Sequence, residues 1–248
     1  MNIIISGICG TMGTEIYEEA KRNGIDGVCG IDKIIKGNFD CPVYKNFFEV
    51  NYYADVIIDF SSPSALINLL EYATQTKTPL VIGTTGLSEN DETLIKNASS
   101  LIPIFKSSNT SLLVNALIEI CKILSEKLDG YDVEIIDCHH NKKKDAPSGT
   151  SYAIYNAINS AKNGKMQSIY GRKGNGIRNK NEICMHSIRG GGVVGEHEIL
   201  FLGENDCLKV KHTAYSKKLF ADGAIKASEF IVGKPNGLYG MDDLISSI

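Results

Sequence analysis

The chain opens on Asn2-Ile3-Ile4-Ile5-Ser6-Gly7-Ile8-Cys9-Gly10-Thr11-Met12-Gly13, and the architecture of its first half follows from these twelve residues. An Ile-rich run without polar alternation is the pattern of a strand buried on both faces, as in a parallel sheet. The run stops at Gly7. From Met12 to Arg22 the pattern turns helical, with Ile16 and Ala20 four apart and Asn23-Gly24 in the place of a C-cap. Buried strand, glycine-rich turn and helix in succession predict the first βα unit of an α/β protein.

Working outward, Val28–Ile31, Ala54–Phe60, Pro79–Ile82 and Ile102–Phe105 read as further buried strands. Ser61-Ser62-Pro63 offers a cap and a first-turn proline for a helix through Tyr72. Gly83-Thr84-Thr85-Gly86 is a turn. Ser88 opens a helix whose acidic first turn (Glu89, Asp91, Glu92) suits the helix dipole. This alternation predicts a Rossmann-like doubly wound parallel sheet, which binds ligands at the carboxyl ends of its strands. After Asn109 the texture changes. A helix over Leu112–Leu128, a strand at Asp132–Cys138 and a short helix near Thr150–Ile158 precede strands at Ile183–Ile188, Glu198–Leu202 and Cys207–His212. These predict a second, α+β domain with a mixed or antiparallel sheet. Lys217–Val232 is helical again and is expected to pack back on the first domain. The expected division is 1–109 plus 217–248 for dinucleotide binding and 110–216 for substrate. Residues 162–181, rich in Gly, Asn, Lys and Arg, read as the most mobile loop.

The 248 residues carry 26 Lys plus Arg against 29 Asp plus Glu, a net charge of -3, so no broad basic field exists to grip nucleic acid. A small-molecule partner is expected. Cys9, Cys29, Cys41, Cys121, Cys138, Cys184 and Cys207 are odd in number and form no C-x-x-C pair, which reads as free thiols in a reducing cytoplasm. No run approaches the ~20 apolar residues of a membrane span.

Gly7, Gly10 and Gly13 are spaced G-x-x-G-x-x-G, departing from the commoner G-x-G-x-x-G. With Cys9, Thr11 and Met12 between them they form a turn that lets a pyrophosphate approach backbone N–H groups at a helix N-terminus. Asp32, nineteen residues past Gly13 at the end of the second strand, is placed to accept hydrogen bonds from an adenosine ribose. The acid favours NADH. Lys33 beside it leaves NADPH open, and reads equally as a solvated surface charge.

The densest chemistry is Asp137-Cys138-His139-His140-Asn141-Lys142-Lys143-Lys144-Asp145-Ala146-Pro147-Ser148-Gly149-Thr150. Adjacent histidines leaving a strand point to opposite sides and no zinc-like spacing surrounds them, so no metal is expected. A His titrates near neutral pH, and a Lys crowded by like charges gives up its proton more readily, so either is a candidate proton donor. Ser148, Gly149 and Thr150 at a helix start form an anion cradle suited to a carboxylate.

These residues resemble the 4-hydroxy-tetrahydrodipicolinate reductase (dihydrodipicolinate reductase) family from Asn2 to the C-terminus. His139-His140 through Lys143 to Thr150 is similar to the family's H-H-x-x-K-x-D-A-P-S-G-T signature. Asp59-Phe60-Ser61, Gly83 to Gly86, Arg189-Gly190-Gly191 and Val194-Gly195-Glu196-His197 support it. The resemblance implies a nicotinamide-dependent reductase of a cyclic dicarboxylate, with a substrate domain that also builds a homotetramer and closure of the domains during turnover. It implies that His139 and Lys143 are the proton-transfer pair, that His140 contacts substrate, and that Gly149 and Thr150 bind a carboxylate. Phe60, Gly83, Thr84 and Thr85, with Ser107, Ser108 and Asn109, would line the cofactor. Hydride would reach the ring after loss of the hydroxyl as water, with a protein acid protonating the adjacent carbon. Two positions depart from the family: Thr11 replaces the usual Arg or Lys of the turn, and Ser111-Leu112-Leu113 stands where S-x-G is usual.

Two rival readings share part of the pattern. A dehydrogenase of the aspartate or homoserine type would share the turn and Asp32 but not the His139–Thr150 signature. A non-catalytic nucleotide sensor should have lost His139 or Lys143, and both are present. His186, His197 and His212 read as structural histidines, Glu196 and Glu198 as a solvated row, and Asp59 as a cap for Ser61 and Ser62.

Overall fold

Ile3–Ser6 forms β1, and all four of its residues are buried because the sheet is covered on both faces. Ile3 and Ile5 pack with Val56, Ile58, Val81 and Phe105 against Ile16, Tyr17, Ala224 and Ile231 on one side. Ile4 packs with Ile57, Leu80, Ile82 and Ile104 against Leu66, Leu69, Ala73 and Ile95 on the other. Each Ile so enclosed contributes roughly 1.5–3 kcal/mol relative to exposure. The two-residue period of the strand thus feeds two cores, which is why the run lacks polar alternation.

The computed structural model describes residues 1–248. β1 is followed by α1 (Thr11–Arg22), β2 (Val28–Ile31), β3 (Val43–Tyr44), β4 (Val56–Asp59), α2 (Leu66–Thr76), β5 (Leu80–Ile82), α3 (Glu89–Ala98) and β6 (Pro103–Lys106). Then come α4 (Leu112–Lys127), β7 (Asp132–His139), α5 (Gly149–Ala161), β8 (Gln167–Tyr170), β9 (Glu182–Arg189), β10 (Gly195–Leu202) and β11 (Cys207–Ala214). The chain closes with α6 (Lys218–Ile231), β12 (Gly237–Tyr239) and α7 (Met241–Ile245). One sheet has the order β12-β6-β5-β4-β1-β2-β3, all its pairs parallel. The other has the order β11-β10-β7-β9-β8, antiparallel at β11-β10-β7 and parallel at β7-β9-β8.

Two compact units result, Met1–Leu112 with Lys218–Ile248, and Leu113–Lys217. At Ser111-Leu112-Leu113, Leu112 packs on the first unit's core and Leu113 is exposed. In the first unit, α6 packs on α1, and β12 extends the sheet beyond β6. No helix is long and apolar enough to cross a membrane.

Three local expectations change. α2 begins at Leu66 after a tight turn over Pro63–Ala65, and the Ser62 hydroxyl bonds Ser64 Oγ (3.0 Å) instead of capping the helix. The segment 162–181 holds a strand, β8, and is anchored by Arg178, whose guanidinium reaches Asp132 (2.6 Å), Glu134 (3.2 Å) and the Glu182 carbonyl (2.6 Å). Its glycine and asparagine content masked that anchoring. β3 and β12 escape sequence reading because strands of two and three residues carry no period.

Candidate active site

In the first unit, a cleft of about 280 Å³ lies at the carboxyl ends of β1, β2 and β4, where β1 pairs with β2 on one side and β4 on the other. This is the switch point of the sheet, the place where such folds bind ligands. Of the residues singled out from sequence, Gly7, Gly10, Asp32, Lys33 and Phe60 line it, and Lys45, Asn46, Ser61, Ser62 and Asn68 join them. The first bond within α1 runs from the Thr14 N–H to the Gly10 carbonyl (2.9 Å), so the first-turn N–H groups of Thr11, Met12 and Gly13 precede the ladder and can take an anion. Asp32 stands just past β2. Its carboxylate accepts the N–H groups of Cys9 and Ile34, both at 3.1 Å. A carboxylate has about four acceptor positions, so capacity remains for a ribose diol.

Gly83, Thr84 and Thr85 follow β5, and Ser107, Ser108 and Asn109 follow β6, on the same carboxyl edge but outside that cleft. Thr84 is buried and donates to Asp59 (2.6 Å), which also takes the Ser61 hydroxyl (2.6 Å). Asp59 therefore ties the turns after β4 and β5 together, a wider role than capping serines. Burial pushes its carboxyl up, against the hydrogen bonds from Ser61 and Thr84. Ser107 Oγ donates to the Asn109 carbonyl (2.7 Å) and accepts its N–H (3.1 Å), which closes that turn. The open helix N-terminus, the acceptor Asp32 and the cleft together fit a dinucleotide.

In the second unit, alternate residues of β7 face α4 and α5. Val133 and Ile135 belong to the apolar core, and Asp137 and His139 continue the same row as polar groups. On β10 the row Phe201, Ile199, His197, Gly195 ends the same way. Asp137 is 1% exposed and accepts the Ser148 N–H (2.8 Å), the Ser151 hydroxyl (2.9 Å), the Ser187 hydroxyl (3.3 Å) and Arg189 Nη1. Burial alone would raise its carboxyl, but Arg189, Ser148 and Ser151 outweigh that and hold it at about 2. Arg189 Nη2 also donates to the Asp145 carbonyl (2.8 Å).

His139 is buried, with Nδ1 3.5 Å from Asp137 Oδ1 and its ring edge-to-face with His197 at 5.2 Å. Burial lowers its pKa, aided by Lys143 and Arg189 and opposed by Asp137. Lys143 is not left among like charges as the sequence suggested. Its ammonium pairs with Asp145 at 2.9 Å, while Lys142 and Lys144 are exposed. His140 is half-buried at the strand end. Ser148 caps α5 by accepting the Ser151 N–H (3.2 Å), and its hydroxyl is shared with His197 Nε2 (2.9 Å). Gly149 is exposed, with open space where a Cβ would stand, and Thr150 is half-buried beside it.

Sequence reading missed Asp137, Ser151, Arg189, Gly195 and His197 as members of this cluster. The only signal was the presence of Arg189, Gly195 and His197 in family-like motifs; Asp137 and Ser151 flank the His139–Thr150 signature and carried none. A Cβ on Gly195 would stand 3.1 Å from His139 Nε2, so the absent side chain keeps that nitrogen accessible. His186 pairs with Glu134 (2.7 Å), but His197 and His212 each keep a buried Nδ1 without a partner. Glu196 and Glu198 pair with Lys211 (2.8 Å) and Lys209 (3.7 Å). Glu134, Cys184 and His186 bring metal-ligand atoms within 4.8 Å of one another, yet Glu134 is already held by Arg172 (3.0 Å) and Arg178 (3.2 Å), which disfavours a cation.

Burial, with His139 beside it, lowers the His197 pKa to about 4, so the ring is neutral at pH 7. An unfolded His takes its proton near 6.5, ahead of the folded one. This stabilisation is therefore complete above pH 6.5 and is lost as pH falls through about 4, by roughly 3 kcal/mol in all. In chemical denaturation, His197→Gln should show a shallower loss of stability over this window than the parent. Identical slopes would remove His197 from that role.

A family model described as dihydrodipicolinate reductase, N-terminus, matches residues 1–110, and one described as dihydrodipicolinate reductase, C-terminus, matches residues 113–245. The chain is 44% identical over 249 residues to the 4-hydroxy-tetrahydrodipicolinate reductase of Clostridium tetani, covering 100% of this chain and 98% of the relative. It is also 44% identical to the enzyme of that name from Caldanaerobacter subterraneus subsp. tengcongensis, covering 99% and 98%. Among solved structures, the dipicolinate-bound dihydrodipicolinate reductase from Paenisporosarcina sp. TG-14 superposes with a TM-score of 0.82 at 22% identity, over 98% of each chain.

Proposed function

Because the chain belongs to the dihydrodipicolinate reductase family, we propose that His139 and Lys143 carry the proton transfer of the family's reaction on a cyclic dicarboxylate held at the start of α5. The protein is an NAD(P)H-dependent oxidoreductase that reduces 4-hydroxy-tetrahydrodipicolinate in lysine and diaminopimelate biosynthesis. The observation that carries the site assignment is the convergence of His139, the Lys143–Asp145 pair and the start of α5 on the end of β7.

In this reading Ser148 acts as the cap that shapes the helix start, and Gly149 and Thr150 take one substrate carboxylate there. His140 contacts the substrate from the strand end. His139 protonates the substrate carbon through Nε2, the nitrogen that Gly195 leaves accessible. Lys143 stands by with its ammonium oriented by Asp145. The first unit serves as the dinucleotide domain: Gly7 to Gly13 take the pyrophosphate, Asp32 the ribose, and Phe60 with the turns after β5 and β6 the remainder of the cofactor. When bound, the nicotinamide supplies the hydride.

We further infer a preference for NADH, since Asp32 is an acceptor where a 2′-phosphate would need donors, while Lys33 and Lys45 on the same cleft leave NADPH usable. A homotetramer built on the second unit is supported by the half-buried row Glu196, Glu198, Leu200 and Leu202 on β10, the side of that sheet turned away from its core. A cytoplasmic setting is supported by seven free thiols. The dehydrogenase and sensor readings lose to family membership.

The test is absorbance-followed oxidation of NADH and NADPH with substrate generated in situ from pyruvate and aspartate semialdehyde by the preceding synthase. Oxidation should require the synthase and run at lower KM with NADH. Asp32→Ala should raise the KM for NADH by about tenfold and that for NADPH less. An equal rise in both would remove Asp32 from the ribose.

A further inference from the structure

We propose that Asp137 is the positioning residue of the site, holding the His139 ring with its proton on Nδ1 and Nε2 turned to substrate, and locking the start of α5 to the same point. The proposal rests on the reading of His139 as the proton donor given above.

The geometry is that of a hub. One buried carboxylate receives four donors from two separate segments: the Ser148 N–H and Ser151 hydroxyl at the start of α5, and the Ser187 hydroxyl and Arg189 guanidinium from β9. Arg189 carries the linkage on to the Asp145 carbonyl, and Asp145 holds Lys143. Ser148 is therefore one link from Asp137, and Lys143 is reached from it through Arg189 and Asp145. A purely structural anchor for β7 would not need to face the ring two residues further along its own strand. Asp137 does so: His139 Nδ1 is buried without a hydrogen-bond partner, and Asp137 Oδ1 is the carboxylate oxygen that faces it at 3.5 Å. A ring nitrogen in that position carries the proton when a carboxylate faces it, and the tautomer follows from that charge. The opposite nitrogen, Nε2, lies against the space left by Gly195.

The charges facing His139 are Asp137 on its own strand, Lys143 with Asp145 from the loop, Arg189 from β9 and the His197 ring from β10. Asp137 is the carboxylate that raises the ring's affinity for its proton, so its removal leaves Lys143 and Arg189 opposing the imidazolium.

The experiment compares kcat/KM against pH for the parent, Asp137→Asn and His139→Gln, with NADH as the cofactor. If His139 donates the proton, the parent's rate falls on the alkaline side of the His139 pKa, and His139→Gln abolishes that limb. Asp137→Asn should lower kcat about 10- to 100-fold at neutral pH, leave the KM for NADH unchanged, and move the limb about one pH unit lower. A limb that survives in His139→Gln overturns the reading of His139. A limb lost there but unmoved in Asp137→Asn overturns the role of Asp137. Should Asp137→Asn fail to fold, histidine ¹⁵N spectra of the unsubstituted protein, taken at a pH where the His139 ring is neutral, decide: Nδ1–H is expected, and a neutral ring with its proton on Nε2 overturns the proposal.

Discussion

Lys143→Ala should lower kcat by about two to four orders of magnitude while the dissociation constant for NADH stays within about twofold of the parent value. The separation follows from where the residue sits. Lys143 belongs to the loop between β7 and α5 of the second unit, its ammonium 2.9 Å from Asp145, whereas the cofactor cleft is lined by residues of the first unit. Loss of the ammonium takes away a cation that acts on His139 and leaves Asp145 facing the same space without its partner. Binding of NADH followed by fluorescence, alongside steady-state turnover, checks both halves. If NADH affinity fell as far as turnover, Lys143 would be a cofactor ligand and its assignment to proton transfer would be wrong. Lys143→Arg separates charge from proton transfer: it keeps the cation, so recovery of substrate KM without recovery of kcat is expected.

Gly13→Ala should weaken NADH by about 100-fold or more and lower folding stability by about 1–3 kcal/mol. A Cβ at position 13 would stand 2.0 Å from the Gly7 carbonyl oxygen and 2.6 Å from Ile8 Cα, both backbone. Neither atom can turn aside as a flexible side chain would. The turn is also pinned, by the Gly7 N–H on the Ile31 carbonyl (2.8 Å) and the Gly10 N–H on the Gly7 carbonyl (2.9 Å). Relief therefore has to come from moving α1 off β1, which displaces the N–H groups meant for the pyrophosphate. Equilibrium denaturation and NADH titration of the same preparation read the two effects. Unchanged affinity would mean that the helix start does not hold the cofactor.

How much of this was legible beforehand differs between the two units for a physical reason. In the first unit local pattern and global structure coincide. The strand of Ile3 to Ile5 is buried on both faces, Gly7 takes φ +81°, and the capping box of Ser88 and Asp91 starts α3 where the acidic turn placed it. Each of these is a property of a few consecutive residues, and sequence displays such properties directly. The errors were of the same local kind: Ser62 can cap a helix by type, but Ser64 takes its hydroxyl.

In the second unit the sequence showed the His139–Thr150 segment and the types of chemistry it could perform. From the residues themselves came an α/β domain joined to an α+β domain, and from the signature the family. Tertiary structure alone decided which partner each group received. Asp137 meets Ser148 across 11 residues of chain and Arg189 across 52, and His197 reaches Ser148 across 49. Lys143 was expected among like charges because its chain neighbours are lysines, yet the loop turns those outward and pairs it with Asp145, two residues on, a local contact that its lysine neighbours obscured. The state of an ionisable group depends on burial and on charges within a few ångströms. Chain order fixes neither, because a sheet brings distant strands together according to register and not sequence separation.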